Sequence, residues 1–166
     1  MSNSDAITLR RATEADHDAL WDMLRPVFRA GDTYAMDPDI DRNGALDYWC
    51  GADAGVWIVE NDGQTLGSYY LKTNQRGGGA HVCNCGFVTS PAARGKGVAR
   101  LMLDHALQSA RDAGYYAMQF NFVVASNVRA IDIWTRAGFD TVGRLPNAFR
   151  HPKVGLVDAL VMYRRL

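Results

Sequence analysis

Apolar positions along the chain change period several times, and each change marks an element. "ITLR", Ile7 to Arg10, alternates like a short strand. Leu20, Met23, Leu24, Val27 and Phe28 then recur at helical spacing. Thr13 and Asp16 ahead of them resemble a capping box with Asp in the place of Glu, and Pro26 is expected to disturb the last turn. "GDTYAMDPDIDR" reads as an acidic, aromatic loop, followed by a second short helix over Asn43 to Trp49. Val56 to Glu60, the turn "NDG" and Thr65 to Lys72 form a hairpin pattern. "RGGG", Arg76 to Gly79, is a flexible turn, and His81 to Val88 is the next strand. A helix follows with an apolar stripe of Val98, Leu101, Met102, Ala106, Ala110 and Ala113, stopped by Gly114. Ala117 to Val124 reads as a buried strand. Ser126 or Asn127 then caps a shorter helix through Ala137, stopped by Gly138. "FDTVGRL" and "LVDALVMYRRL" read as closing strands, with "NAFRHP", Asn147 to Pro152, as a late loop between them.

The resulting order is β-α-α-β-β-β-α-β-α-β-β. Its strand–helix–strand centre favours a parallel pair with a right-handed crossover, whereas the first half is joined by hairpins. The expected fold class is therefore α+β, a single mixed central β-sheet flanked by helices. No linker or repeat divides the chain, so residues 1–166 are read as one domain.

Composition narrows the function classes. Eighteen basic and eighteen acidic side chains balance to a formal charge of zero, which argues against a broad nucleic-acid or anionic-membrane footprint. No apolar run approaches the roughly 20 residues of a membrane span. The stretch "MSNSDAITLRR" lacks the features of a secretory leader. Cys50, Cys83 and Cys85 are poorly placed for a disulfide, and no Cys/His pattern has zinc spacing. A reduced, cytoplasmic protein without a metal, a nucleic-acid partner or a membrane partner is expected.

The stretch "VTSPAARGKGVARLML", Val88 to Leu103, carries the first chemical signal. Arg94, Lys96 and Arg100, with Gly95 and Gly97, stand where a helix begins. Helix starts are already positive, so added cations there are locally unfavourable unless an anion is expected. The glycines let a bulky anion approach the backbone, and Ala99 keeps the first turn slim. The triphosphatase loop pattern is absent, and Arg100 occupies the place of the third glycine of a dinucleotide fingerprint. A pyrophosphate site is one reading of this turn; a solvated surface turn is the other.

"RGKGVA", Arg94 to Ala99, fits Arg/Gln-x-x-Gly-x-Gly/Ala, and "NVRAIDIWTRAGF", Asn127 to Phe139, fits Asn-x-x-Ala-x-x-(apolar)-aromatic-x-x-x-Gly-Phe. In both motifs and in element order the chain resembles the Gcn5-related N-acetyltransferases (GNAT). That resemblance implies a sheet whose two parallel strands splay, and acetyl-coenzyme A as donor. The pyrophosphate would lie on the N–H groups of Arg94, Gly95, Lys96, Gly97, Val98 and Ala99, with Arg100 nearby. The pantetheine arm would lie between the strand ending at Phe87 and Val88 and the strand "QFNFVV". The Val88 N–H would face the thioester oxygen, and Asn127 and Ala130 would border the arm.

Many members of the family place a Tyr proton donor where this chain has Trp134, so the usual acid is missing and Trp134 is read as packing against the cofactor. Asn84 and Asn121 interrupt two otherwise apolar strands. They are read either as structurally satisfied amides or as acceptor-binding groups. Strand alternation places Gln119, Asn121 and Val123 on one face. "HVCNCGF" and "FNFVVASNVRAIDIW" also resemble fungal acetyltransferases of proline analogues such as azetidine-2-carboxylate. In that group the matching asparagines hold the substrate. Asp32, Thr33 and Tyr34 lie on the loop that covers the acceptor pocket in this fold and are read as binding the acceptor's ammonium or as a solvated acidic loop, and Arg150 stands as a carboxylate clamp or a surface charge. The expectation is acetyl transfer to the amine of a small molecule, an amino acid or analogue, by a homodimer. The alternatives are a peptide or protein N-terminal acetyltransferase and a non-catalytic acyl-coenzyme A sensor.

Overall fold

A computed structural model describes residues 6–166; the first five residues of the stretch read for a leader lie outside them. The elements are β1 (Thr8–Arg11), α1 (His17–Ala30), α2 (Arg42–Cys50), β2 (Gly55–Asn61), β3 (Gln64–Thr73), β4 (Val82–Thr89), α3 (Val98–Asp112), β5 (Ala117–Val124), α4 (Val128–Arg136), β6 (Asp140–His151) and β7 (Gly155–Arg165). They build one seven-stranded sheet in the order β1-β2-β3-β4-β5-β7-β6. All neighbours are antiparallel except β4 and β5. This is the mixed α+β sheet that the element order implied.

Each face of the sheet carries a core. One packs α3 against Tyr69, Cys83, Met118 and Phe120; the other packs α1 and α2 against Ile58, Tyr70 and Val88. Tyr69 and Tyr70 are neighbours in sequence on β3 and so point to opposite cores. The Asp-containing capping box forms, with Thr13 N–H donating to Asp16 at 2.7 Å. Arg10 clamps Asp16 at 2.8 and 2.9 Å and Glu60 at 2.9 Å. These bonds from Arg10, helped by Thr13, hold the Asp16 carboxyl down to about 2, against the effect of its burial.

Four local expectations are corrected. Pro26 leaves the last turn of α1 helical, because Leu24 and Phe28 are buried on either side of it and packing carries the helix on to Ala30. The buried face of α3 turns toward Leu103 and Leu107, leaving Leu101 exposed. "NAFRHP" is no loop, since all but its proline belong to β6. The residues between Leu145 and Phe149 there form a bulge that Asp158 of β7 tethers by accepting from Asn147 N–H (2.9 Å) and Arg144 (2.7 Å). The alternation on β5 breaks at a bulge between Phe120 and Val123, which moves Val123 into the α3-side core, away from the face of Asn121.

Candidate active site

β4 and β5 pair only at Val82↔Ala117 and Cys83↔Met118 and then diverge. The divergence leaves a cavity of about 400 Å3 between the strands. Asn84 sits at its closed end. The buried Asn84 amide donates to the Gln119 carbonyl of β5 at 2.9 Å and accepts from the Tyr70 hydroxyl at 3.2 Å. It therefore bridges the two strands just where their own hydrogen bonds stop.

Tyr70 reaches Asn84 only because its ring lies across Gly86. A Cβ at Gly86 would stand 2.3 Å from Tyr70 Cε1. A glycine inside a strand is a sign of such an approach. Tyr48 O–H lies 3.2 Å from Tyr70 O–H, and Trp49 meets the Tyr70 ring edge-on at 4.9 Å.

The ladder between β3 and β4 runs in unbroken register. Its phase is fixed at both ends, by Asn74 N–H to Val82 C=O and Ser90 N–H to Leu66 C=O, each 2.9 Å. Alternation then commits the Val88 N–H to Ser68 on β3. The expectation that Val88 N–H faces a thioester is thus corrected: without a bulge in β4, Phe87 and Thr89 turn their backbone groups toward the fork. Phe87 shows this directly. Its N–H donates to the Tyr34 hydroxyl at 3.2 Å, and that hydroxyl donates to its C=O at 2.6 Å. Tyr34 so acts as a one-atom substitute for a neighbouring strand, a contact no sequence pattern signalled. Burial raises its hydroxyl, and that of Tyr70, well above the usual tyrosine range.

The cavity brings together much of the residue set read from the sequence. Thr33, Tyr34, Asn84, Phe87, Val88, Asn121, Asn127, Ala130 and Trp134 line it. Asp32 is not among the lining residues, and Arg150 is exposed on β6, outside the lining. Asn127 caps α4, its Oδ1 accepting from Ala130 N–H at 3.3 Å. Trp134 packs between Phe87 (5.1 Å) and Phe120 (4.8 Å). Asn121 donates to Asn74 Oδ1 at 2.6 Å and accepts from Gln119 at 2.9 Å, so its amide is tied into a surface chain of amides.

Beyond the fork, a turn leads into α3. Gly95 and Gly97 have φ of +74° and +69°, and an added Cβ at either would meet open space. The first helical bond of α3 is Leu101 N–H to Gly97 C=O, so the N–H groups of Val98, Ala99 and Arg100 have no intrahelical acceptor. Two of the expected donors are spent instead within the turn, Arg94 N–H on Pro91 C=O and Lys96 N–H on Ala93 C=O. The Arg94 and Lys96 side chains make no ion pair among the described residues, whereas Arg100 pairs with Asp104 at 3.1 Å. An open turn, free helix donors and two unpaired cations fit a pyrophosphate. A groove between α3 and α4, lined by Gly97, Ala99, Leu103 and Ile133 among others, continues from this turn. Among the described residues no group of three or more metal-ligating side chains is gathered, and no helix is long and apolar enough to cross a membrane.

A forked parallel pair whose first strand leads into an open, cation-flanked helix start frames the site, and similarity to known proteins gives its class, an acyltransferase. The chain belongs to the acetyltransferase (GNAT) family, whose profile matches residues 17–139, and as a member it is an acetyl-coenzyme A-dependent N-acetyltransferase. It is 31% identical over 148 residues to N-acetyltransferase aca1 of Schizosaccharomyces pombe, covering 79% of this chain and 71% of that protein. The structure of a GCN5-related N-acetyltransferase from Kribbella flavida superposes with a TM-score of 0.91 at 37% identity, covering 97% of this chain and 98% of that one. The fold is also that of yncA, a putative acetyltransferase from Salmonella typhimurium solved with acetyl-coenzyme A, at a TM-score of 0.84, 21% identity and coverage of 97% and 94%.

Proposed function

We propose that residues 1–166 act as one domain that transfers the acetyl group of acetyl-coenzyme A to the amine of a small molecule, an amino acid or analogue. The observation that carries this reading is the cavity at the fork. It is roofed by Thr33 to Met36 of the α1–α2 loop and floored by Tyr70 and Asn84. A space of this size suits a small acceptor better than an extended peptide.

The donor supplies an activated acetyl thioester. The chain's own residues hold its ends and shape the site. Val98, Ala99 and Arg100 N–H groups, with the Arg94 and Lys96 side chains, take the pyrophosphate. Thr89 offers backbone groups along the fork, those of Phe87 being held by the Tyr34 hydroxyl, and Trp134 and Phe120 form an apolar wall that excludes water. Asn84 and Asn121 orient the acceptor.

Among the described residues no Asp, Glu, His, Lys or Arg lines the cavity, and the raised Tyr34 and Tyr70 hydroxyls stay protonated at neutral pH. No lining group therefore accepts the amine's proton, and the amine arrives neutral or gives its proton to water. Turnover should rise with pH through the apparent pKa of the acceptor.

The reading includes a homodimer. β6 is a long edge strand with Val142 and Leu145 exposed, and such an edge invites pairing. Free thiols at Cys50, Cys83 and Cys85 suit a reducing compartment, and the cytoplasm is the location proposed. An acceptor screen of amino acids, imino acids, polyamines, aminoglycosides and short peptides, followed by thiol release and product mass, tests the function. Acetylation of amino or imino acids supports it. Acetylation of peptide N-termini alone favours the protein-directed alternative, and donor binding without thiol release across the panel favours the sensor.

A further inference from the structure

On the α1–α2 face of the sheet, Tyr70, Lys72 and Asn74 follow one another at two-residue spacing along β3 and its continuation. Asn84 stands opposite Lys72 in the ladder, and Asn121 of β5 reaches across to Asn74. The face thus presents a strip of amides with one cation in its middle. The Lys72 ammonium lies 4.8 Å from the Tyr70 ring centroid and 5.1 Å from that of Tyr48, and both rings line the cavity. Among the described residues no carboxylate lies within 4 Å of it.

This arrangement is unusual for a lysine beside a pocket. Among the described residues it has no counter-charge, and none of the residues lining the cavity whose rings it touches carries a charged side chain. A cation resting on aromatic faces is held in position but not neutralised. Neither Lys72 nor Arg150, the carboxylate clamp considered from the sequence, is among the lining residues, but Lys72 rests on two rings that are, whereas Arg150 stands exposed on β6. We propose that Lys72 reads the carboxylate of the acceptor, so that the substrates are α-amino or imino acids rather than simple amines. The proposal rests on the reading of the fork as an acetyl-transfer site for a small acceptor and names the substrate class within it. Lys72 supplies the charge, and the Asn74–Asn121–Gln119 strip supplies further polar groups beside it. The Tyr48 and Tyr70 rings set the position of the ammonium. Among the described residues no carboxylate lines the pocket to hold an ammonium group, so recognition falls on the acid end of the substrate and leaves the nitrogen free to lose its proton.

The test compares kcat/KM for matched acceptors, proline against pyrrolidine and alanine against alaninamide, each corrected for the fraction of neutral amine. The wild-type protein should favour the acid of each pair by roughly 10- to 100-fold, the loss expected when one charge-assisted hydrogen bond is removed. Lys72→Met should erase that preference while leaving the KM for acetyl-coenzyme A unchanged, and Lys72→Arg should restore part of it. Equal rates for acid and neutral partner in the wild type overturn the proposal, as does an undiminished preference in Lys72→Met. The wild-type comparison needs no variant, so a misfolded substitution does not shield the idea. A wild type that acetylates no acceptor fails differently: the transfer reading falls and takes this proposal with it.

Discussion

The contact between Tyr70 and Gly86 gives a sharp perturbation, Gly86→Ala. The added methyl would stand 2.3 Å from Tyr70 Cε1 and 2.7 Å from its Cζ, well inside van der Waals contact. The ring has little room to retreat, with Trp49 edge-on at 4.9 Å and Tyr48 at 5.9 Å, and Tyr70 itself is 3% exposed. Overpacking of this kind costs about 1–3 kcal/mol. Displacing the ring also breaks its bond to Asn84, worth about 1 kcal/mol more. A total of about 2–4 kcal/mol corresponds to a fall in Tm of roughly 5–15 °C for a chain of this size. Because Asn84 then loses its partner, the acceptor KM should rise while donor affinity holds. The assay is thermal unfolding with steady-state kinetics, repeated in a Tyr70→Ala background. There the methyl has space, and Gly86→Ala should cost little. An equal cost in both backgrounds would refute the reasoning, since the penalty would then lie in the backbone and not in the ring.

Three further outcomes follow from the same geometry. Asp16→Asn should lower stability at pH 7 by about 1–2 kcal/mol, the linkage value reduced for the partial exposure of Arg10. The native carboxyl lies at about 2 against 3.8 when unpaired, so this contribution is complete above about pH 4 and disappears as pH falls through about 2. Urea unfolding at both ends of that window checks the sign. Tyr34→Phe removes both bonds to the Phe87 backbone and should cost about 1–3 kcal/mol in denaturant unfolding; an unchanged midpoint contradicts the bridging role. Gly97→Val forces a β-branched residue to a φ of +69° at the start of α3. It should cost about 1–2 kcal/mol and raise the acetyl-coenzyme A KM by roughly tenfold with the acceptor KM unchanged.

Much of the frame was legible in the chain itself. The periods of hydrophobicity gave the element order, and the cation-and-glycine turn proved open and leads into the free N–H groups of α3. Asn84 was singled out because an amide inside an apolar strand needs a partner; the partner proved to be both a tyrosine and the neighbouring strand. What escaped were contacts between residues distant in sequence. Nothing near Tyr34 indicates that its hydroxyl meets Phe87, 53 positions away. The β5 bulge shifted the face of Val123, because period-two alternation assumes an unbroken ladder. The Val88 assignment failed for the opposite reason. A bulge there would have turned its N–H to the fork, but the β3–β4 ladder has none. Lys72 was hidden as the last residue of a strand pattern, where a charge reads as an exposed end.

The central claim is that the forked strands and the start of α3 form one donor site, with Phe87 and Thr89 facing the fork and Val88 turned away. Amide shifts of isotopically labelled protein, followed during titration with acetyl-coenzyme A, test it most directly. Saturable changes should concentrate at Phe87, Thr89 and Gly95 to Arg100, with Val88 nearly still. A silent titration, or changes that spare both the fork and the turn, would contradict the account.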